Sequence, residues 1–309
     1  MKRAALFLLA LLASLWGPPG ELRAGDVHVL NVKGVPRSYY LHVPTDLKPG
    51  AALVFFLHGA GSTGRDDSVR FGWRRKAETE GFILVGPDAW PALASGPPIN
   101  SQGNPRVWND DAPSATANIL GSDDTGFILA LIDEMARLHG IDRRRVYVAG
   151  FSSGGSMAFR LAQEIPDRIA AVVSAAGQFT ELKQRPSRGM PVMYYSGEAD
   201  ELNPVAGGEM PSRWGATLKK EPHLDIVGHW RRLNECPATP VKVRDPKLPE
   251  YIEVTGPCRD GSEVRYVLVR GLDHDWPVDE RGRGTTLSAT NQSWNFFKRF
   301  RLPAEPAGN

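Results

Sequence analysis

The run Val146-Tyr147-Val148-Ala149-Gly150-Phe151-Ser152-Ser153-Gly154-Gly155-Ser156-Met157-Ala158 constrains this chain more than any other segment. An alternating, β-branched stretch enters G-x-S-x-G, and small residues lead on into a helical pattern. That order spells strand, sharp turn and helix, with Ser152 at the apex. The glycines around Ser152 let the turn take strained dihedrals and let helix and strand cross closely. The Ser152 hydroxyl then stands at the carboxyl end of a sheet, within reach of a base. G-x-S-x-G alone is common, and a Gly/Ser-rich packing turn would satisfy it. The flanking strand and helix are what point to a nucleophile.

The rest of the chain alternates in the same way. Residues 26–32 and 39–43 read as an antiparallel pair joined around Gly34-Val35-Pro36. Residues 52–57 and 82–85 are continuous apolar runs, as expected of strands buried on both faces. The first ends in His58-Gly59-Ala60-Gly61 and the second at Gly86-Pro87-Asp88. Residues 68–80 form a polar helix. Helical spacing returns over 123–138, with Asp123 or Asp124 as cap and Gly140 as stop. It recurs over 154–163, 226–234 and 287–300. Further strands fall at 169–173 and 192–195, and the last at 264–269. This alternation predicts an α/β fold, a mainly parallel central sheet with helices on both faces, in one domain over 25–309. Residues 90–117 form a long surface loop, and 201–248 an insert that is irregular apart from its helix. Loops of such length are often functional.

The first 24 residues read as a signal peptide. Lys2 and Arg3 precede an apolar run from Ala4 to Trp16, broken by Gly17-Pro18-Pro19-Gly20, with Leu22-Arg23-Ala24 at the cleavage positions. The run is short for a membrane span, so a stable anchor is not expected, and no cysteine follows it closely enough to carry lipid. A secreted or periplasmic location is the expectation. Export places Cys236 and Cys258 in an oxidising compartment, and two cysteines allow one intramolecular bridge. The net charge of +2 gives nucleic acid no basic footprint, and Arg74-Arg75-Lys76 reads as a solvated helix face.

A serine hydroxyl needs a base held in one tautomer by a third group. Of seven histidines, His274 alone follows the last strand, in Gly271-Leu272-Asp273-His274-Asp275-Trp276-Pro277; His58 lies upstream of the serine. The acid belongs between Ser152 and His274, at a strand end. Asp200 in Ser196-Gly197-Glu198-Ala199-Asp200 meets this, with Glu198 and Asp225 as rivals. The donors for a developing oxyanion are the amide of Ser153 and one from His58-Gly59-Ala60-Gly61. Ala60 is favoured, with Gly61 as the alternative.

Leu57-His58-Gly59, Gly150-Phe151-Ser152-Ser153-Gly154-Gly155, Ser196-Gly197-Glu198-Ala199-Asp200 and His274-Asp275-Trp276-Pro277 together resemble the polyhydroxybutyrate depolymerase/feruloyl esterase family of secreted α/β-hydrolases. Trp108-Asn109-Asp110, Asp123-Asp124-Thr125-Gly126-Phe127 and the segment from Trp230 through Asn234 to Cys236, with Cys258 as partner, fit the same pattern. The likeness runs from about Val35 to Phe300. It implies the α/β-hydrolase fold, a Ser152, Asp200, His274 triad and a pocket lined by Trp276. Trp108 is a second substrate-binding candidate. The chain departs from the family at Ser196, where a histidine is usual, and at Leu272-Asp273, where Gly-Gly is usual. Asp273 adds a carboxylate beside the base.

The expected function is a secreted serine carboxylesterase acting on feruloyl or acetyl esters of polysaccharide, or on short hydroxyalkanoate oligomers. The chain stops soon after its last helix, which favours a soluble or oligomeric ester over crystalline polyester. No cofactor and no metal are expected, nor a nucleic-acid partner, and the protein is expected to be a monomer. A serine peptidase or aminoacyl hydrolase on the same fold is the second reading. A carbohydrate-binding protein that stacks sugars on Trp90, Trp108 and Trp276 is the third.

Overall fold

Continuous apolar runs become the centre of a sheet. The computed structural model describes residues 26–91, 104–110, 121–182, 185–211, 217–239, 241–243, 250–278 and 287–304. Residues 1–24, expected to be a signal peptide, most of the 90–117 loop and part of the 201–248 insert therefore lie outside the described residues.

The strands are β1 (Val27–Val32), β2 (Val35–His42), β3 (Leu53–Leu57), β4 (Ile83–Pro87), β5 (Trp90–Pro91), β6 (Arg106–Val107) and β7 (Val146–Phe151). They continue with β8 (Ala171–Ala175), β9 (Val192–Gly197), β10 (Gly208–Pro211), β11 (Thr217–Lys220), β12 (Val241–Val243), β13 (Glu250–Thr255) and β14 (Val264–Val269). The helices are α1 (Gly64–Arg70), α2 (Trp73–Glu80), α3 (Asp124–His139), α4 (Ser153–Glu164), α5 (His223–Leu233) and α6 (Ala289–Phe297).

Ten strands form one sheet in the order β1-β2-β4-β3-β7-β8-β9-β14-β13-β12. The strands from β4 to β14 in that order run parallel. Antiparallel strands extend both edges, β2 with β1 on one side and β13 with β12 on the other. Every residue of β3, β4, β7, β8 and β9 is buried, as a sheet covered on both faces requires. Alternation within β3 sorts the core into layers. Leu53, Phe55 and Leu57 pack with Phe127 and Leu131 of α3, Met157 and Phe159 of α4, and Trp230 of α5. Val54 and Phe56 pack on the other face with Trp73 and Ala77 of α2 and with Trp294 and Phe297 of α6. Among the described residues, no helix is long and apolar enough to cross a membrane.

Local chemistry moved several boundaries. The first hairpin turns at Lys33-Gly34, both with positive φ (52° and 87°), so Val35 and Pro36 already belong to β2. A two-residue turn of that hand matches the right-handed twist of the strands it joins. The helix expected over 68–80 is two helices. The Thr63 hydroxyl caps the first by accepting from the Asp66 amide, and Gly72 at φ 78° breaks the chain before the second. The insert contains a hairpin, β10 paired with β11, besides its helix. β13 carries neither an apolar run nor a clean alternation, because Glu250 and Glu253 interrupt Tyr251, Ile252 and Val254. Its Glu253 is buried all the same and ion-paired with Arg231.

Cys236, just beyond α5, is disulfide-bonded to Cys258, 22 positions later and before β14. Replacing both by serine is expected to lower unfolding free energy by about 3 kcal/mol, because the open chain regains loop entropy when unfolded. Denaturant titration of the double variant checks this; an unchanged midpoint would refute it.

Candidate active site

The turn between β7 and α4 is the structural centre of the site. Ser152 sits there at φ 55° and ψ −120°, a conformation that a residue with a Cβ rarely adopts. Such strain costs about 1–3 kcal/mol and persists only where the surroundings over-determine it. Here the Ser152 amide donates to the Ala175 carbonyl at 2.8 Å, and the Ser152 carbonyl accepts from Ser156 at 3.0 Å. The start of α4 also runs against bare backbone. A Cβ on Gly154 would lie 2.1 Å from the Leu57 carbonyl oxygen, and one on Gly150 would lie 2.1 Å from that of Gly154. Only glycine fits at either position.

The sheet order brings the remaining residues to the same edge. Ser152 follows β7, Asp200 follows β9 and His274 follows β14, and the last two strands are paired neighbours. The His274 Nε2 lies 2.9 Å from the Ser152 Oγ, and its Nδ1 lies 2.7 Å from the Asp200 Oδ2. The other Asp200 oxygen accepts from the amides of Leu202 at 2.9 Å and Asn203 at 2.8 Å. Burial alone would raise the Asp200 carboxyl. The hydrogen bond and charge of His274, with the two amides, outweigh it and hold the group below the usual carboxylate range. An ionised acid behind the imidazole fixes the ring with its proton on Nδ1 and leaves Nε2 to accept the serine proton.

The rival acids stand elsewhere. Glu198 is exposed and accepts from the Gly271 amide, and Asp225 lies in the first turn of α5. The extra carboxylate at Asp273 accepts from the His274 backbone amide at 2.7 Å. Asp275 is held by Arg70, which donates to both of its oxygens at 3.1 Å. Ser196, where a histidine was the usual residue, is buried in β9.

The loop after β3 lies against the serine: a Cβ on Gly59 would be 3.6 Å from that of Ser152. Gly59 donates to Asp67 Oδ2, Gly61 to the Arg106 carbonyl and Ser62 to the Gly59 carbonyl. The amides of Ala60 and Ser153 have no hydrogen-bond acceptor among the described residues. Idle N–H groups in the two segments that meet at a hydroxyl are what an oxyanion site needs. Of the two loop amides left open by the sequence, Gly61 is occupied and Ala60 is not.

Both tryptophans expected to line the substrate pocket are core residues. Trp276 is 0% exposed and packs among Phe56, Phe71, Trp73 and Tyr195, with its indole N–H on the Thr290 hydroxyl. Trp108 is 1% exposed and donates from Nε1 to the His58 carbonyl. A ring that large gains more from full burial than an open rim offers, and each indole N–H has found a protein acceptor. Sugar stacking on these two rings is excluded for the same reason.

Several anchors had no local signal in the sequence. Asp67 receives the Gly59 amide and the Ser62 hydroxyl, and Asp88 receives the Gly64 amide and the Ser38 hydroxyl. Buried Arg37 pairs with Asp124 at 2.6 Å, and Asp124 in turn accepts from the Asn109 amide. The neighbouring Trp108 amide points to the Ser153 Oγ at 3.4 Å. Among the described residues, no group of three or more His, Cys, Asp or Glu could hold a metal ion.

Trp276→Ala is expected to cost about 3–5 kcal/mol of stability, as for a buried aromatic truncated to a cavity. A variant with unchanged stability and a raised KM would restore a pocket role. The lowered Asp200 pKa favours the native state above the unfolded-chain value near 3.8, and that contribution disappears as pH falls through the lower native value. The stability advantage of the native protein over Asp200→Asn should therefore be full at pH 7 and shrink below pH 4. Urea titrations of both proteins across that range test it.

A family model described as Phospholipase/Carboxylesterase matches residues 40–227, more than half of the chain. The chain is 22% identical over 283 residues to the bifunctional acetylxylan esterase/xylanase XynS20E of Neocallimastix patriciarum, covering 90% of this chain and 36% of that protein. It is 26% identical over 316 residues to feruloyl esterase D of Neurospora crassa, covering 97% and 98%. It spans only about a third to half the length of XynS20E and of two further curated relatives. Among solved structures, an acetyl xylan esterase from Aspergillus awamori superposes with a TM-score of 0.61 at 15% identity, covering 89% of this chain and 99% of that one. The shared architecture is the α/β-hydrolase fold, and the chain belongs to the phospholipase/carboxylesterase family.

Proposed function

We propose that this protein is a serine carboxylic-ester hydrolase. The observation that carries the reading is the chain of contacts from Ser152 Oγ through His274 to Asp200, with idle amides of Ala60 and Ser153 beside it. Ser152 Oγ attacks the ester carbonyl carbon while His274 Nε2 takes the hydroxyl proton. The carbonyl oxygen becomes an oxyanion held by the two amides. As the tetrahedral species collapses, the C–O bond to the alcohol breaks and His274 returns the proton to the departing alcohol. Water then gives a proton to His274 and attacks the acyl-enzyme. The acid is released, and Ser152 regains its proton. Asp200 orients the imidazole and balances its charge when protonated.

The acyl group we favour is acetyl or feruloyl on plant polysaccharide, in keeping with the relatives that carry those names. Residues 1–24 act as an export signal, and the Cys236–Cys258 bridge suits the oxidising compartment to which it would lead.

Ser152→Ala is expected to lose hydrolysis of p-nitrophenyl acetate by at least about 10⁴-fold with its melting temperature unchanged. Full activity in that variant would end the mechanism. Acetylated xylan and methyl ferulate should be hydrolysed much faster than the matching amides, whereas faster amide cleavage would favour a peptidase. Failure of a fluorophosphonate probe to label Ser152 would favour a binding protein.

A further inference from the structure

We propose that the buried imidazole of His58, held between Ala89 and Gly59, is a positioning residue that aims the Ala60 amide at the oxyanion. The assignment rests on the esterase reading above. His58 is neither the base nor a surface group: it is 0% exposed, and both ring nitrogens are used within its own neighbourhood.

The backbone decides its tautomer. The Ala89 amide lies 3.0 Å from His58 Nε2, and an amide N–H can only donate, so Nε2 accepts. The proton of the neutral ring is therefore on Nδ1, which donates to the Gly59 carbonyl at 2.7 Å. That carbonyl also accepts from the Ser62 amide at 3.1 Å. The Gly59 C=O and the Ala60 N–H belong to one planar trans peptide and point in opposite directions. Two donors fixing the oxygen therefore fix the direction of the hydrogen. The preceding peptide is held as well, because the Gly59 N–H donates to Asp67 Oδ2 at 3.0 Å. Ala60 is left with the free amide in a loop whose neighbouring amides, those of Gly59, Gly61 and Ser62, are all bound.

Other contacts keep the ring in this state. The Trp108 indole donates to the His58 carbonyl at 2.9 Å and packs against the imidazole with ring centroids 5.2 Å apart. Burial pushes the His58 pKa down, and a second proton on Nε2 would face the Ala89 N–H directly. A filler of the same volume would reproduce the packing but not the Nδ1–H.

The test uses the full chain with p-nitrophenyl acetate and a trifluoromethyl ketone, whose hemiketal oxyanion needs the same donors. His58→Leu should lower kcat by about 100- to 1,000-fold with KM nearly unchanged, and weaken the ketone by a similar factor. His58→Asn, which carries an amide N–H where Nδ1 stands, should recover most of kcat, whereas His58→Gln should not. The Asn and Gln variants decide the matter alone if His58→Leu fails to fold. Equal loss in Asn and Gln, or a loss of stability with ketone affinity intact, would reduce His58 to a packing residue. Unchanged kcat in all three variants, with Ser152→Ala inactive, would overturn the positioning role alone. Full activity in Ser152→Ala would overturn the esterase reading and this role with it.

Discussion

The site depends on one close crossing, that of the first turn of α4 over the ends of β3 and β7. Backbone meets backbone there: a side chain on Gly150 or Gly154 would penetrate a carbonyl by more than an ångström. The crossing makes Ser152 turn through a positive φ, which leaves the Ser153 amide without an acceptor at the head of α4. It also brings Gly59 against Ser152. One steric demand thus places the half-buried Ser152 hydroxyl, one idle amide and the loop that carries the other.

Strain of this kind has to be held by groups that do not yield. Much of the holding is done by buried polar groups, each supplied with partners. Asp67 and Asp88 secure the loop after β3, Asp200 accepts from two amides and a histidine, and Arg37 pairs with Asp124 behind the Asn109 turn. Buried charges are poor stabilisers when set against well-packed apolar residues. Their value here is directional, because each fixes a particular amide or ring. The apolar layers on both faces of the sheet carry the stability, and Trp276 and Trp108 belong to that account.

Much of this was legible in the chain. The parallel centre of the sheet, the helix caps at Asp123 and Gly140, and the places of Ser152, Asp200 and His274 at strand ends all follow from local pattern and chain order. Where structure and local pattern differ, a tertiary contact or a backbone conformation overrides the pattern. The expected 68–80 helix splits at Gly72, whose positive φ no periodicity announces, and β13 has no strand signature because its buried Glu253 has the character of a surface residue. A tryptophan two residues from the base looked like a pocket wall. Its ring turns inward because the core beneath the loop has room for an indole and Thr290 offers its N–H an acceptor.

By itself the sequence determined the strand–turn–helix at Ser152 and the chain order of Ser152, Asp200 and His274, because glycines at the crossing between a buried strand and a helix admit few other local structures. It also determined the cysteine pairing, since only one was available. Which carboxylate reaches the imidazole, which loop amide stays free and which aromatic rings are walls or core were decided by the tertiary structure. Each of these depends on the direction of a hydrogen bond between segments far apart in the chain. His58 shows the division most plainly: its residue type was visible from the start, whereas its tautomer was set by the Ala89 amide, 31 positions away.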